Sequence, residues 1–305
     1  MGTMELSTFS RRSLIAWPLV QVPLLGVAQA FAKNVESSPP FDRLEALVKM
    51  RGSIDDRLGF AWIKGIRYAQ VGASMESMCG VLNCTMTRYT RLSPDSFDLR
   101  LYEISFYTDL ATGQYQPTLM MPFTGKRVEV PLYRTGPGRH VVKTANSEEM
   151  SWSKKNTTSE AAARMLAPDG KIYYNVELSQ PSIQGDNVWL TTEATTRLEP
   201  NSPADKPWFY KELITNHGSL NDLIDPATSH VDSEASYTLM MSWRPWMQMD
   251  GIDGNTLDHA IGGRVWSLDA LPTEILEHMS RHHPDIVANP LRWLEADSSS
   301  QYSKE

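Results

Sequence analysis

The known signatures of bound cofactors are missing from these 305 residues. No Gly-x-Gly-x-x-Gly follows a strand-like run to cradle a dinucleotide, and no Gly-x-x-x-x-Gly-Lys-Ser/Thr loop is present for a nucleoside triphosphate. No Cys-x-x-Cys-His offers haem attachment, and no Gly-x-Ser-x-Gly elbow presents a nucleophilic serine. The expectation is therefore that the protein works with no cofactor. Charge of one sign is not concentrated either. With 29 basic and 36 acidic residues the net charge is -7, and no basic stripe is visible, so nucleic acid is excluded as a partner. Cysteine is scarce: the only two form Cys79-Gly-Val-Leu-Asn-Cys84. Two thiols offer too few ligands for a metal, which leaves a disulfide or a pair of buried free thiols. Long apolar runs are scarce too. The single one, Leu14 to Ala32, is broken by Pro18, Gln21, Pro23 and Gly26, and a stable membrane span needs about 20 mostly apolar residues.

That run reads instead as an export signal. Arg11-Arg12 supply the positive region, and Ala28-Gln29-Ala30 and Ala30-Phe31-Ala32 are small-x-small cleavage sites. Ser10-Arg11-Arg12-Ser13-Leu14-Ile15 is similar to the twin-arginine motif. The expected organisation is a twin-arginine signal peptide over 1–32, a Ser/Pro linker over 33–40, one β-rich domain over 41–295 and a disordered tail over 296–305. The mature protein is then expected in the periplasm or secreted, with the twin-arginine machinery as its export partner.

The mature chain is rich in aromatic and thioether side chains, with 9 Trp and 15 Met in the full sequence. Such side chains make adaptable apolar surfaces. Phe41 to Met50 reads as a short helix. From Gly59 strand signals dominate: Phe60, Trp62, Ile66 and Tyr68 alternate with smaller or polar residues. Thr85 to Leu92, Phe97 to Tyr107, Arg127 to Val130, Lys171 to Leu178, Val188 to Leu198, Tyr237 to Trp243 and Gly262 to Trp266 continue the pattern. Asp109-Leu-Ala-Thr-Gly113 and Thr124-Gly125 head hairpin connections. Ser159 to Ala167 is a further helix candidate, and Leu271 to His283 is the clearest helix, stopped by Pro284. Hairpin-linked strands without alternating helices predict a mainly β fold. The expected form is a large antiparallel sheet closed or nearly closed into a lipocalin-like barrel, with a few peripheral helices.

The stretch "YEISFYTDLATGQYQPTLMMPFTGKRVEV", followed by "WLTTEATTRLEP" and "SWRPWMQMDG", resembles the domain-of-unknown-function 1838 family, over about Phe41 to His283. Many members of that family carry twin-arginine signals, and their shared pattern includes Asn-Pro-x-Thr-Gly-x-x-Val-Glu-Val. Met121 stands where the family has Asn. If that Asn contacts ligand, the resemblance implies a different or more apolar ligand here.

Candidate chemistry comes from polar groups set among aromatics. Trp243-Arg244-Pro245-Trp246-Met247-Gln248-Met249 places a guanidinium and an amide between two indoles, and Pro245 ends strand pairing there. Glu193 shares a strand face with Trp189 and Arg197; Tyr102 and Arg100 share one with Ile104 and Phe106; Arg88 sits with Met86. If these faces turn into a barrel, Glu193 becomes the base, with Arg244 or Tyr102 as electrostatic partner. Trp62, Arg88, Tyr107, Trp189, Trp243, Trp246 and Gln248 then line the site for an apolar or aromatic small molecule. That predicts a cofactor-independent lyase, isomerase or cyclase, or a carrier with the same pocket. A third reading is a metal-dependent hydrolase or oxidase on Glu274, His278 and His282, which fall on one side of the last helix. The competing account of those histidines is a polar face favoured by the helix dipole, and it leaves no metal site. Asp250-Gly-Ile-Asp253-Gly-Asn255 has the wrong ligand spacing for a calcium loop and reads as a hairpin.

Overall fold

A computed structural model describes residues 40–143, 145–152, 170–203 and 207–296. The signal expected over 1–32, all but the last residue of the expected linker, the helix expected over 159–167 and the residues beyond 296 lie outside the described residues.

The described chain is mainly β, as its alternation predicts, and is dominated by one antiparallel sheet of 11 strands. In spatial order these are β6 (Tyr133–Val142), β3 (Ser96–Thr108), β2 (Ser74–Ser93), β1 (Gly59–Val71), β13 (Asn255–Val265), β12 (Glu234–Ser242), β11 (Trp208–Ser219), β10 (Asn187–Pro200), β8 (Gly170–Leu178) and β7 (Ala145–Trp152). The short β9 (Ser182–Gln184) pairs beside β10. A separate hairpin joins β4 (Thr118–Met120) to β5 (Arg127–Glu129). The large sheet curls through 259° as a half-barrel. Its edges are β6 and β7, so the barrel is nearly closed rather than sealed.

Strand alternation sorts the sheet into two faces. On the convex side Phe60, Leu82, Cys84, Met86, Ile104 and Phe106 pack against α3 (Thr273–His282), α4 (Pro284–Ala288) and α5 (Pro290–Glu295), which contribute Ile275, Met279, Ile286 and Leu294. The concave side is plugged at both ends. At one end α1 (Arg43–Arg51) starts where Asp42 accepts a 2.7 Å hydrogen bond from the Glu45 amide. Its Leu44 and Val48 meet Tyr89 and Phe97 of one wall, and its Leu47 and Met50 meet Leu178, Val188 and Leu190 of the opposite wall. Full burial of side chains of this size stabilises by about 1.5–3 kcal/mol each. Gly52 lets the chain leave α1 directly over Tyr89, since a Cβ there would lie 2.3 Å from the ring. A further turn, α2 (Leu220–Ile224), packs beside α1 through Leu223. The opposite end is filled by Trp246, Met247 and Met249 against Val81, Tyr107 and the β4–β5 hairpin.

Several expected boundaries shift for physical reasons. The helix expected from Leu271 begins at Thr273 because Pro272 occupies its N-cap position, and Pro284 then opens α4 as its first residue. The strand expected at Gly262 to Trp266 is the end of the longer β13. Strands β6 and β11 are additions. Gly136-Pro137-Gly138 hides the first, and polar Glu212 and Asn216 on the inner face of the second break its apolar pattern. The disulfide alternative is overturned: Cys79 and Cys84 are both free. Five residues along one strand spans about 17 Å, far beyond a disulfide's reach. Cys79 packs in the plugged end and Cys84 beneath the C-terminal helices, and burial pushes both thiols up to about 12.

Candidate active site

Between the two plugs lies a hollow of about 520 Å³, walled by β6, β3, β2, β1, β13, β12, β11, β10 and β8. Its size falls in the range of small-molecule sites. A narrower extension of about 60 Å³ continues past Glu103, Tyr210 and Tyr237 toward Arg244 and the Arg67–Asp258 pair.

Alternation in β3 turns Glu103 inward with Ser105, while its neighbours Tyr102 and Ile104 turn outward. Its Oε1 accepts from Asn83 Nδ2 at 2.7 Å and from Ser105 Oγ at 3.3 Å. Burial raises its pKa to about 7, and the Glu212 carboxylate across the hollow adds to the rise. The Arg244 guanidinium and the bonds from Asn83 and Ser105 pull the other way. A carboxylic acid held there exchanges its proton at neutral pH. Glu212, on β11, accepts from the Tyr210 phenol, and Tyr210 is hydrogen-bonded to Tyr237. Burial and the Glu212 charge push both phenols well above their ordinary value, as burial and Glu103 do for Tyr133. All three therefore remain protonated at neutral pH. Below them Arg67 donates to Asp258 through Nε and Nη2, both at 2.6 Å, inside the sheet. The arrangement offers one titrating carboxyl, a second carboxylate, protonated phenols and a guanidinium around one space.

The structure brings together part of the residue set expected from sequence. Arg244 lines the narrow extension with Glu103 and lies over the Trp208 ring at 5.6 Å. Tyr107 lines it too, stacked on Trp246 at 5.7 Å and under Arg67 at 4.7 Å. The tryptophans of the bend do not border the hollow. Trp246 is buried in the plug, and Trp243 Nε1 donates to the Ile252 carbonyl at 3.1 Å. Gln248 is exposed in a left-handed conformation (φ 50°), and its carbonyl accepts from Lys126 at 3.3 Å. Met121, where the resemblance led to an expected Asn, is buried in the same plug.

The other expected residues face away. Inward-facing Ala194 places Glu193 on the convex side, where it pairs with Lys211 at 2.8 Å, both side chains well exposed. Tyr102 is buried under α5, edge-on to Trp293 at 5.9 Å. Arg88 is held by Asp56 at 2.6 Å and Glu295 at 2.5 Å. Trp189 stacks on His217 at 5.0 Å and lines an open groove on the outer face, whereas Trp62 borders both that groove and the hollow. For the metal alternative, Glu274 pairs with Lys64 and His278 Nε2 bonds the Gly113 carbonyl at 3.0 Å. His278, His282 and His283 all pack on Phe106. Among the described residues no group of three His, Cys, Asp or Glu side chains is placed to hold a metal ion.

Glu103, Glu212, Tyr210, Tyr237 and Asn83 were not identified from sequence. One signal was present: β2, β3 and β11 each carry a polar row, Asn83-Thr85-Thr87, Glu103-Ser105 and Glu212-Asn216, opposite an apolar or mixed row. Such a row ordinarily marks a solvent face.

Residues 195–305 match the family described as Protein of unknown function (DUF1838). The match includes Tyr210, Glu212, Tyr237 and Arg244 but begins after Glu103. No curated protein matches the chain.

Proposed function

We propose, for this chain whose residues 195–305 match the domain-of-unknown-function 1838 family, that the hollow takes a small cyclic or aromatic molecule and that Glu103 moves a proton on it without a cofactor. The reading is that of an exported lyase or isomerase. It rests on one observation: a carboxyl group with a pKa of about 7 lines a ligand-sized hollow beside protonated phenols and a guanidinium. Near neutral pH about half of Glu103 is ionised. The carboxylate takes a proton from carbon next to a carbonyl, and the C–H electron pair moves onto the carbonyl oxygen. The resulting enolate is stabilised by Arg244 and by a tyrosine O–H at the narrow end. Return of the proton from Glu103 to a different carbon completes an isomerisation; expulsion of a β-substituent completes an elimination. Tyr210, held by Glu212, keeps the phenol pair in place.

The test begins with mass spectrometry of small molecules extracted from protein purified from the compartment to which it is exported. Incubated with the identified molecule, the wild-type protein is expected to convert it. Glu103→Gln should bind it within about twofold and convert it at least ~100-fold more slowly. Return of the molecule unchanged by wild type would leave a carrier and remove the enzyme. Export is tested by Arg11→Lys with Arg12→Lys: continued cleavage and export would defeat the twin-arginine route.

A further inference from the structure

The wall of the hollow nearest α1 carries positive charge that no acidic side chain neutralises. Arg264 of β13 and Arg51 of the last turn of α1 both line it. Among the described residues no carboxylate pairs with either guanidinium. Arg264 Nη1 donates to the Met50 carbonyl at 2.7 Å, and its Nε is buried with no partner. Two more buried polar atoms without partners, Thr87 Oγ1 and Asn216 Oδ1, belong to residues lining the same hollow. A partly buried cation without a counter-charge is costly, and buried polar atoms such as its Nε are normally satisfied. Capping the carbonyl end of α1 accounts for Nη1 and for the position of Arg51. It leaves Nε and the two lining atoms unexplained. Burial, with Arg51 close by, brings Arg264 down to about 9, so an anion beside it would relieve an existing strain.

Sheet register places this wall relative to Glu103. Arg264 pairs with Ala61, Ala61 with Thr85, and Thr85 with Glu103. The two residues therefore end one row, three strand spacings apart, or roughly 14 Å around the curve. Resting on the reading of the hollow as a small-molecule site, we propose that its α1 end is an oxyanion subsite. Arg264 and Arg51 there hold the carboxylate or sulfonate of a small organic acid whose reacting end lies at Glu103. The substrate class is thereby narrowed from cyclic or aromatic molecules in general to acids that present a monoanion at one end.

A matched pair of fluorescent probes separates this subsite from the hollow that contains it. Anilinonaphthalene sulfonate carries an oxyanion, and N-phenylnaphthylamine has the same rings without it. Both are expected to bind the wild-type protein one-to-one, and Ala194→Trp, which fills the hollow, should abolish both. Arg264→Gln should weaken the sulfonate by about tenfold or more while changing the neutral probe by less than about twofold. Arg51→Gln should act in the same direction and stands in if loss of the Met50 contact loosens the first variant. Equal weakening of both probes, or of neither, in the two arginine variants overturns the subsite while Ala194→Trp still upholds the hollow. Persistence of both probes in Ala194→Trp overturns the hollow as a ligand site and the subsite with it.

Discussion

The two faces of one curled sheet are built on opposite principles. Beneath the C-terminal helices the convex face is dry and close-packed: Phe106, Ile104 and Ile275 are fully buried among apolar neighbours. Even its histidines serve as packing, arranged on the Phe106 ring. The concave face keeps carboxylates, amides, phenols and guanidiniums around empty space. A barrel-like sheet is expected to be most apolar inside; here the helices lie outside, and they take the apolar row with them. Apolar packing and polar groups are sorted to different sides of the same strands, so that adjacent residues such as Ile104 and Glu103 turn to opposite faces.

Substitutions can break that division, and the largest effect is expected on the convex side. Phe106→Ala should cost about 3–5 kcal/mol in chemical denaturation, the usual range for an aromatic core truncation. A cost under about 1 kcal/mol would mean that the helices are not docked as described.

On the concave side Glu103→Gln should change stability with the opposite sign. The folded-state pKa of Glu103 lies above its ordinary 4.5, so the native state holds the proton more tightly than the unfolded chain. Native stability then falls as pH rises from 4.5 through about 7, by up to about 3 kcal/mol. The glutamine variant should lack that fall, being more stable than wild type at pH above 7 and no different near the bottom of the window. Parallel denaturation curves across pH would remove the claim that Glu103 is strained.

His283 on the convex side should give the mirror image. Burial, and next the positive charge of Arg134, lowers its pKa from 6.5 to about 4. The unfolded chain therefore takes up a proton that the native state refuses, and stability falls as pH drops from 6.5 to 4, by about 2 kcal/mol. His283→Leu should flatten this acid limb in thermal melts; an unchanged slope would place the titration elsewhere. The smallest effect belongs to Glu193→Gln. Its exposed pair with Lys211 should be worth no more than ~1 kcal/mol, and conversion of the bound molecule should be unaffected. Loss of conversion there would reverse the assignment of faces.

The same contrast explains what sequence reading can reach. Alternation grouped residues by face correctly: Glu193 does lie with Trp189 and Arg197, and Tyr102 with Ile104 and Phe106. Period-two spacing carries no sign, however, and does not say which face is enclosed. Apolar rows read as the lining of a hollow, whereas the lining is largely the row that reads as solvent-facing. Arg244 was found because Pro245 marks a break where a strand must end and turn. Glu212 was missed with its whole strand, because a carboxylate and an amide on the inner row erase the apolar periodicity that reveals a strand. The mainly β architecture and the C-terminal helices needed only local patterns and were legible. The carboxylates of the site meet only through long-range register, between strands more than a hundred residues apart.

Among the described residues the edges β6 and β7 do not pair, which under the proposed reading bears on what the hollow can accept. A sealed barrel has its girth set by strand number and shear. A sheet that stops short of closure carries no such constraint: for the proposed ligand its circumference can follow the guest, and selectivity would fall to the charged groups at either end.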